Sequence, residues 1–439
     1  MLAIVVSRAD EAAEHIGDKL LELGDWTERT DESRPAESGG GTYYRREGIE
    51  LRTIEELHLH TEGIASCFED PDLLVFASRH SGETGKLLTA HATGNFGPAE
   101  YGGDDRALAT AAPGALSRVR TAFAEYAPPE YEAGIECTHH GPTDVGCPSL
   151  FVELGSGPEA YDDPAGAEAV ARSILALADV EPMGDRAVVG FGGGHYAPRF
   201  DRVLTETDWG VGHVAAEWCT RVMNEPIAPI IEEAFERSDA EYALLDGADP
   251  EIEAAIEELG FETVTETWLQ ETTGVPLSLV EAVEAKLSPI DSGLRLGTQA
   301  VGYGGPFVVR NLPPELLSEA DGIDREQVRS VLEAEAVAFE TREGASRVGT
   351  TACFRDDASR SAVIEELATI LESKYSEVTV REDAVVASRT AFDPGVAKKL
   401  GVEEGPAFGR LSSGQPVDIG GETIEPSDVH RNEERFFPI

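Results

Sequence analysis

The chain has 439 residues, of which 83 are acidic and 35 are basic, giving a formal net charge of −48. Hydrophobic residues make up 41% of the sequence, which excludes an acidic disordered chain and provides for a packed core. The apolar runs are too short to cross a bilayer and no secretory signal pattern opens the sequence, so we expect a cytoplasmic protein without membrane partners. Concentrated salt screens the repulsion between charges that are more than roughly 3 Å apart. The large negative net charge therefore predicts adaptation to a halophilic cytoplasm.

The cysteine content and the charge restrict the binding partners. The five cysteines are scattered and form no Cys-x-x-Cys pair, so we expect reduced thiols and no cysteine-rich zinc module. The acidic balance argues against a DNA partner, because nonspecific binding depends on Lys and Arg neutralising phosphates. In concentrated salt this contribution is weak for any protein. A tRNA substrate recognised through loops, backbone amides and stacking therefore stays compatible with the charge.

Strand and helix patterns alternate along the first part of the chain. Strands are predicted at 2–7, 73–78, 135–138, 150–154 and 187–191. Helices are predicted after the capping residue Asp10 and at 165–177, 227–237 and 250–259, and 31–42 is predicted to be an exposed loop. This alternation predicts an α/β fold with a mixed, largely parallel sheet flanked by helices. Ligands bind such sheets outside the carboxyl ends of strands.

The length predicts two domains, and a glycine-rich segment at 296–306 suggests where they separate. We expect a catalytic domain at 1–300 and a smaller C-terminal α+β region at 305–439. In that region helices are predicted at 325–338 and 359–374 and strands at 347–354 and 377–381, followed by a loop-rich tail. Oligomeric state stays open between monomer and homodimer.

Eight of the ten histidines lie between His58 and His213, and most follow a predicted strand or a glycine. Histidine on a loop held by a strand end is suited to metal binding or to acid–base catalysis. His15 and His430 have no such context. His58 and His60, with Glu62, have the spacing of a metal pair on a strand, but a structural or surface role is favoured because no glycine or strand end accompanies them.

The first histidine loop, 78–97, carries His80, Lys86, Thr89, His91 and Asn95. Its Gly-x-x-Gly-Lys sequence is too short for a nucleotide-binding loop and lacks the hydroxyl residue that contacts magnesium. Lys86 and the backbone amides suit a phosphate, and an ordinary glycine-rich connection is the alternative.

Two further loops carry the other main histidines. His139 and His140 are followed by Gly141-Pro142, which can turn the backbone so that both rings act together; the alternative is that one of the two has a structural role. Gly192, Gly193 and Gly194 precede His195 and Tyr196, and their amides could cradle an anion or a developing oxyanion. Gly212-His213 forms a fourth, weaker candidate.

No serine-hydrolase elbow, dinucleotide-binding glycine pattern or His-Glu-x-x-His sequence occurs. A water nucleophile activated by histidine or by a metal is therefore favoured. The catalytic candidates are His80, His139, His140 and His195. The candidate metal ligands are the same four and His213, and the ligand set stays open.

Together, in this order, the motifs resemble the archaeal and plant type of D-aminoacyl-tRNA deacylase. The resemblance covers roughly 1–280 and is carried by Ser78-Arg79-His80, 89–95, 138–142, 151–156, 192–198 and Gly212-His213. It implies hydrolysis of the ester between a D-amino acid and the terminal ribose of tRNA, a zinc ion, and a fold similar to peptidyl-tRNA hydrolases and nucleoside phosphorylases. For this reaction the candidate substrate contacts are Lys86, Thr89, His91, Asn95, Gly192, Gly193, Gly194 and Tyr196.

Two departures from the family pattern and two alternative functions stay open. The sequence after His213 matches the family less well, and the region from about residue 305 is additional. Within that region, 399–414 looks like a short stretch of tRNA-processing metallo-hydrolases, which suggests either a tRNA contact or only a turn.

A nucleoside phosphorylase-like enzyme would also use a phosphate-cradling glycine loop. A noncatalytic tRNA-binding factor would not require clustered polar histidines.

Overall fold

The computed structural model describes residues 1–36, 39–223, 226–247 and 249–439, and the chain divides into unit 1, Met1–Thr273, and unit 2, Gly274–Ile439. The division lies ahead of the glycine-rich segment 296–306. Leu294–Leu296 pairs with Ala338–Arg342 and so joins a sheet of unit 2. In the described residues, no helix has the length and apolar character needed to cross a membrane.

Fourteen strands are described in unit 1. They are β1 (Leu2–Ser7), β2 (Thr27–Asp31), β3 (Gly41–Arg46), β4 (Ile49–Ile54), β5 (Leu73–Arg79), β6 (Leu87–His91), β7 (Gly94–Asn95), β8 (Ala107–Leu108), β9 (Glu132–Ile135), β10 (Ser149–Gly155), β11 (Ala187–Gly192), β12 (Gly210–Ala215), β13 (Tyr242–Asp246) and β14 (Glu262–Val264).

These strands form two main sheets. The larger sheet has the order β2-β3-β4-β1-β5-β10-β6-β9 and is parallel from β4 to β10 and again between β6 and β9. The smaller sheet has the order β12-β11-β13-β14 and is parallel throughout, while β7 and β8 pair separately. The prediction of a mixed, largely parallel α/β sheet is confirmed.

The helices of unit 1 flank these sheets, and Asp10 caps the first helix by accepting a hydrogen bond from the Ala13 amide (3.0 Å). They are α1 (Glu11–Glu22), α2 (Pro113–Tyr126), α3 (Pro158–Tyr161), α4 (Pro164–Leu175), α5 (Pro198–Glu206), α6 (Glu217–Val222), α7 (Ala228–Ser238), α8 (Pro250–Leu259) and α9 (Glu266–Glu271). The central strands are buried on both faces, and Phe76 of β5 stacks on Phe151 of β10 with ring centroids 4.6 Å apart.

Two local predictions in unit 1 are wrong. The strand expected at 135–138 ends at Ile135, because the amides of Cys137 and Thr138 bond to the carbonyls of His195 and Val214 and leave the sheet. The loop expected at 31–42 is bounded by paired strands, since β2 extends through Asp31 and β3 begins at Gly41. Residues 37 and 38 of that loop lie outside the described residues.

Unit 2 is an α+β arrangement of antiparallel sheets, as expected for the C-terminal region. Its strands are β15 (Leu294–Leu296), β16 (Val308–Asn311), β17 (Ala338–Arg342), β18 (Arg347–Phe354), β19 (Glu377–Val380), β20 (Ala384–Phe392), β21 (Val417–Ile419), β22 (Glu422–Ile424) and β23 (His430–Pro438). Its helices are α10 (Leu277–Glu284), α11 (Pro314–Asp321), α12 (Arg325–Glu335), α13 (Asp357–Leu371), α14 (Pro394–Lys399), α15 (Pro406–Ser412) and α16 (Pro426–Val429).

The tail of unit 2 is more regular than the loop-rich segment predicted. β20 and β23 pair along their whole length, because Val385, Ala387 and Phe437 bury one face of the pair in the core. The segment between these strands, which includes 399–414, has a small core of its own around Val402, Leu411 and Val429.

Candidate active site

Three loops of unit 1 bring the four catalytic candidates to one cavity of about 410 Å³. His80 follows β5, His139 and His140 follow β9, and His195 follows β11. The second and third loops are joined directly, since the Cys137 amide donates to the His195 carbonyl (2.8 Å). The cavity is also lined by Asp10, Leu57, His58, Leu59, Ser78, Arg79, Ser81, Tyr101, Glu136 and Glu153.

The centre of the site is the buried carboxylate of Glu136. Its Oε2 accepts a hydrogen bond from His195 Nε2 (2.7 Å) and lies 3.5 Å from His80 Nε2 and 3.9 Å from His139 Nε2. Its Oε1 is buried without a hydrogen-bond partner. Burial of such a carboxylate costs free energy unless cations or a metal compensate. The surrounding imidazoles provide this compensation when they are protonated.

The charges of this group are mutually dependent. Burial opposes ionisation of Glu136, but the contacts with His195 and His80 hold its pKa well below the ordinary value. Contacts with Cys137 and Glu136 raise the pKa of His195 to about 10. The Cys137 thiol is neutral at pH 7, because its contact with Cys219 and its burial raise its pKa to about 12. Glu136 therefore supplies the charge that stabilises a protonated His195.

His80 is held from both sides of its ring. Its Nδ1 lies 2.7 Å from the Ser156 hydroxyl, and its Nε2 lies 3.4 Å from the Tyr196 hydroxyl. Burial opposes protonation of His80, but the Glu136 carboxylate outweighs this and raises the His80 pKa. The same carboxylate thus makes His80 a stronger base than an ordinary imidazole.

His91, His139 and His140 form a second imidazole group whose ligand atoms lie within 4.8 Å of one another. Each Nδ1–H donates to a backbone carbonyl, at 3.0 Å from Ala92 for His91, 2.8 Å from Cys137 for His139 and 3.0 Å from Gly141 for His140. This places the lone pair of each ring on Nε2. Burial lowers the pKa of His91 and of His140, which keeps both rings neutral.

Such rings, each fixed through Nδ1 by a carbonyl, are typical of metal ligands. His91 Nε2 is buried without a hydrogen-bond partner, as an unfilled ligand atom would be. Two further groups in the described residues have suitable spacing: Cys137, His139 and His195; and His80, Glu136 and His195. The site can therefore hold a metal, and His139 belongs to two of the three groups.

Sequence reasoning missed Glu136 and Glu153. Glu153 lies in the middle of β10 and faces the cavity, and burial together with the Glu136 charge raises its pKa well above the ordinary value. Its Oε1 lies 3.7 Å from His91 Nε2. A glutamate inside the apolar run Leu150 to Leu154 was the signal that could have identified it, because an isolated charge in a buried strand is costly.

Lys86, a predicted substrate contact, does not line the cavity. Its Nζ lies 2.5 Å from the Asp163 carboxylate and 3.4 Å from that of Glu130. Thr89 lies on β6 opposite Glu153, and its hydroxyl is buried without a hydrogen-bond partner. Neither side chain is brought to the cavity with the catalytic candidates.

Asn95, His213 and His91 also have positions other than those expected. Asn95 is buried, and its Nδ2 donates to the carbonyls of Gly102 (2.9 Å) and Asp104 (3.2 Å). His213 Nε2–H donates to the Ala109 carbonyl (2.8 Å) and its Nδ1 faces the Thr138 hydroxyl (3.1 Å), so both nitrogens are engaged away from the cavity. His91 is buried with the metal-binding group and has no exposed surface for a substrate.

The triple-glycine segment borders a second hollow, of about 380 Å³, beside the carboxyl ends of β11 and β13. The Gly193 amide donates to the Asp246 carbonyl (3.0 Å) and is not available to an oxyanion. A side chain at Gly193 would collide with Asp246, whereas Gly194 faces open space. Tyr196, just beyond, lies with its ring 5.0 Å from that of His195 and 5.8 Å from that of His80.

His58 has the structural position that the sequence favoured, on a short 3₁₀ turn at His58–His60 in place of a strand. Its Nε2 lies 2.8 Å from the Ser78 hydroxyl and 3.8 Å from the Asp10 carboxylate. Burial lowers its pKa to about 4, so the ring is neutral and supports the wall of the cavity.

Known proteins share both the sequence and the fold. The family model described as D-aminoacyl-tRNA deacylase matches residues 67–264. A D-aminoacyl-tRNA deacylase of Natronomonas pharaonis is 61% identical over the whole of both chains, and one of Halorubrum lacusprofundi is 48% identical over all of this chain and 97% of its own. These relatives support the predicted halophilic archaeal origin, and their coverage extends through unit 2.

Among solved structures, the crystal structure of a conserved protein of unknown function, AF0625, is similar to this chain with a TM-score of 0.57 and 29% identity. It covers 62% of this chain and 98% of its own length. By full-length identity to its named relatives, the chain belongs to the D-aminoacyl-tRNA deacylase family.

Proposed function

We propose that this chain hydrolyses the ester bond between a D-amino acid and the terminal ribose of tRNA in the cytoplasm, releasing the free D-amino acid and tRNA. The observation that carries the proposal is the convergence of His80, His139 and His195 on the buried Glu136 carboxylate. This geometry provides proton donors and acceptors for the attack of water on an ester. The named relatives supply the substrate class.

The group of His91, His139 and His140 fits a zinc ion. Three imidazoles are a ligand set that zinc prefers, and the buried His91 Nε2, which has no hydrogen-bond partner, fits a ligand atom. A zinc ion bound there supplies a Lewis acid that lowers the pKa of water and polarises a carbonyl. The carbonyls bonded to each Nδ1 fix the orientation of the rings.

Protons are handled by His80 and His195 on the two sides of the Glu136 charge. His80 takes a proton from the attacking water at Nε2, and the adjacent carboxylate stabilises the resulting cation. His195, protonated at Nε2 beside Glu136, delivers a proton to the leaving ribose oxygen. Ser156 orients His80 through Nδ1. After hydrolysis, His80 gives its extra proton to the Glu136 carboxylate, which passes it to the neutral His195. Both histidines then have their starting protonation states.

The nucleoside phosphorylase-like alternative depended on a free phosphate-cradling loop. Lys86 instead contacts Asp163 and Glu130, and the Gly193 amide is bonded to Asp246. These contacts favour the deacylase over that alternative.

The test is release of D-tyrosine from D-tyrosyl-tRNA by the purified chain in concentrated KCl. We expect the wild type to release it and His195→Ala to lose that activity, because no imidazolium then protonates the leaving oxygen. The conservative control is Arg172→Ala, which changes an exposed ion pair on α4. Full activity of His195→Ala, or no activity of the wild type, would refute the assignment.

A further inference from the structure

Each strongly exposed aromatic side chain in the described part of unit 1 lies on a catalytic loop or on a segment hydrogen-bonded to one. In its described part, the strongly exposed aromatic residues are Tyr101 (62% exposed), Trp218 (45%) and Tyr196 (38%). Tyr101 lines the catalytic cavity, and the ring of Tyr196 lies beside those of His80 and His195. Exposed aromatic surface is unfavourable in water, and its concentration around one site is typical of a binding surface.

Tyr101 is presented by a rigid loop. Its carbonyl accepts a hydrogen bond from the Gly141 amide (3.2 Å), directly beyond His140. The next residue, Gly102, has a left-handed backbone with φ of 79°, and its carbonyl is held by Asn95 Nδ2 (2.9 Å). The backbone is therefore fixed on both sides of an exposed ring. A ring carried by a fixed backbone loses less conformational entropy when a flat ligand stacks on it than a ring on a mobile loop.

Trp218 belongs to a segment that contacts the catalytic loops. It lies on α6, where the Glu217 amide donates to the Gly193 carbonyl (3.0 Å) and the Cys219 thiol contacts the Thr138 carbonyl (3.8 Å). These contacts attach α6 to the loops that carry His195 and His139. Residues of α6 also border the 380 Å³ hollow, whose lining includes Gly193, two residues before His195. The helix that carries Trp218, and the hollow beside it, are thus joined to the loops of the cavity.

We propose that Tyr101 and Trp218 are stacking platforms for the single-stranded 3′ end of tRNA, with Tyr101 taking the terminal base and Trp218 the preceding one. The inference rests on the proposed function, because the nucleotides next to the ester must lie along the rim of the cavity. Bases stack on aromatic side chains irrespective of sequence. With a net charge of −48, the chain has little basic surface for binding phosphates, whereas stacking persists in concentrated salt.

The assignment makes the two residues separable with a minimal substrate, a D-aminoacyl ester of adenosine. Tyr101→Ala should raise KM by about tenfold for both this ester and D-aminoacyl-tRNA. Trp218→Ala should raise KM by about tenfold for D-aminoacyl-tRNA only, since the minimal ester has no second base. In both variants kcat should change little. Tyr101→Phe and Trp218→Tyr retain a ring and should restore the wild-type KM.

Phe436→Ala, which removes an exposed aromatic ring of unit 2, is the matched control and should leave KM unchanged. Unfolding midpoints of all variants should equal that of the wild type, because the rings removed are exposed. An unchanged KM in Tyr101→Ala and Trp218→Ala would overturn the proposal while leaving a deacylase intact. It would also be overturned if Trp218→Ala altered only the mass measured by light scattering, which would assign this face to a second copy. Failure of the wild type to hydrolyse either ester would instead refute the proposed function.

Discussion

Both units have packed cores of helices and sheets, but they bury different polar groups. Unit 1 buries imidazoles and carboxylates, among them His80, His91, His140, Glu136 and Glu153. In the described residues of unit 2, the buried polar side chains are the hydroxyls of Thr341 and Ser388. Burying ionisable groups costs free energy and is not needed to form a core, as unit 2 demonstrates. The concentration of these groups in unit 1 therefore indicates where the chemistry occurs.

The largest expected effect is that of removing the charge at the centre of this group. Glu136→Gln keeps the shape of the side chain but leaves His80 and His195 without the anion that stabilises their protonated forms. We expect kcat for deacylation to fall by about 10³-fold, within the usual range for acid–base catalysis. Steady-state kinetics on D-tyrosyl-tRNA measures it.

Glu130→Gln is the matched control, since this exposed carboxylate contacts Lys86 outside the cavity. It should retain wild-type kcat. Equal losses in the two variants would show that the buried carboxylate has no special role, and the contrast between the units would lose its functional meaning.

Metal removal should have the next largest effect. We expect the chain to hold one zinc ion through His91, His139 and His140. His140→Ala should lower metal content and activity together, the activity by about 100-fold, because one ligand and its fixed orientation are lost. Elemental analysis and deacylation assays on the same preparation measure both quantities.

His60→Ala is the control for this prediction, since His60 is exposed and outside the described metal-binding groups. It should keep its metal and its activity. Retention of metal by His140→Ala, or full activity after chelation, would show that these three histidines do not hold a zinc ion that the reaction needs.

A smaller effect concerns the stability of unit 1 in acid. Burial lowers the pKa of His213 to about 4, against 6.5 ordinarily. As the pH falls, the unfolded chain therefore takes up a proton on His213 before the folded chain does. The stability that the neutral ring contributes is complete above pH 6.5 and is lost as the pH falls toward 4. From pH 7 to pH 5, unit 1 should lose about 2 kcal/mol of unfolding free energy through His213.

His213→Gln isolates this contribution. Urea unfolding in concentrated KCl, followed by tryptophan fluorescence at both pH values, should show a loss about 2 kcal/mol smaller in the variant than in the wild type. An identical pH dependence in both proteins would contradict a neutral, buried His213.

The smallest effect should come from Lys86→Ala. The Lys86 ammonium contacts Asp163 and Glu130 and lies outside the cavity lining, so KM and kcat should change less than about twofold, as for other exposed ion pairs. Kinetics on D-tyrosyl-tRNA at several salt concentrations checks this. A large rise in KM would return Lys86 to the substrate site that its sequence context suggested.

The sequence predicts those parts of the fold that depend on neighbouring residues. The apolar run of β1 and the capping residue Asp10 are local signals, and both elements form as expected. Clustering of histidines after strands likewise indicated the loops that meet at the cavity. The end of β9 was misplaced because hydrogen bonds to His195 and Val214, far along the chain, draw the backbone out of the sheet.

Pairings between distant residues explain what the sequence could not predict of the site. Glu136 precedes two histidines and resembles any acidic residue of the loop, and its role depends on His195, 59 residues away. The sequence around Lys86 suggested phosphate binding, but Asp163, 77 residues away, occupies its ammonium group. Local patterns thus located the chemistry, whereas long-range contacts determine which side chains take part.

The most direct test is to compare hydrolysis of D- and L-tyrosyl-tRNA in concentrated KCl by the wild type and by Glu136→Gln. We expect the wild type to release D-tyrosine much faster than L-tyrosine and the variant to lose the D-specific reaction. Equal release of the two enantiomers, or a fully active Glu136→Gln, would contradict a D-aminoacyl ester hydrolase built around this buried carboxylate.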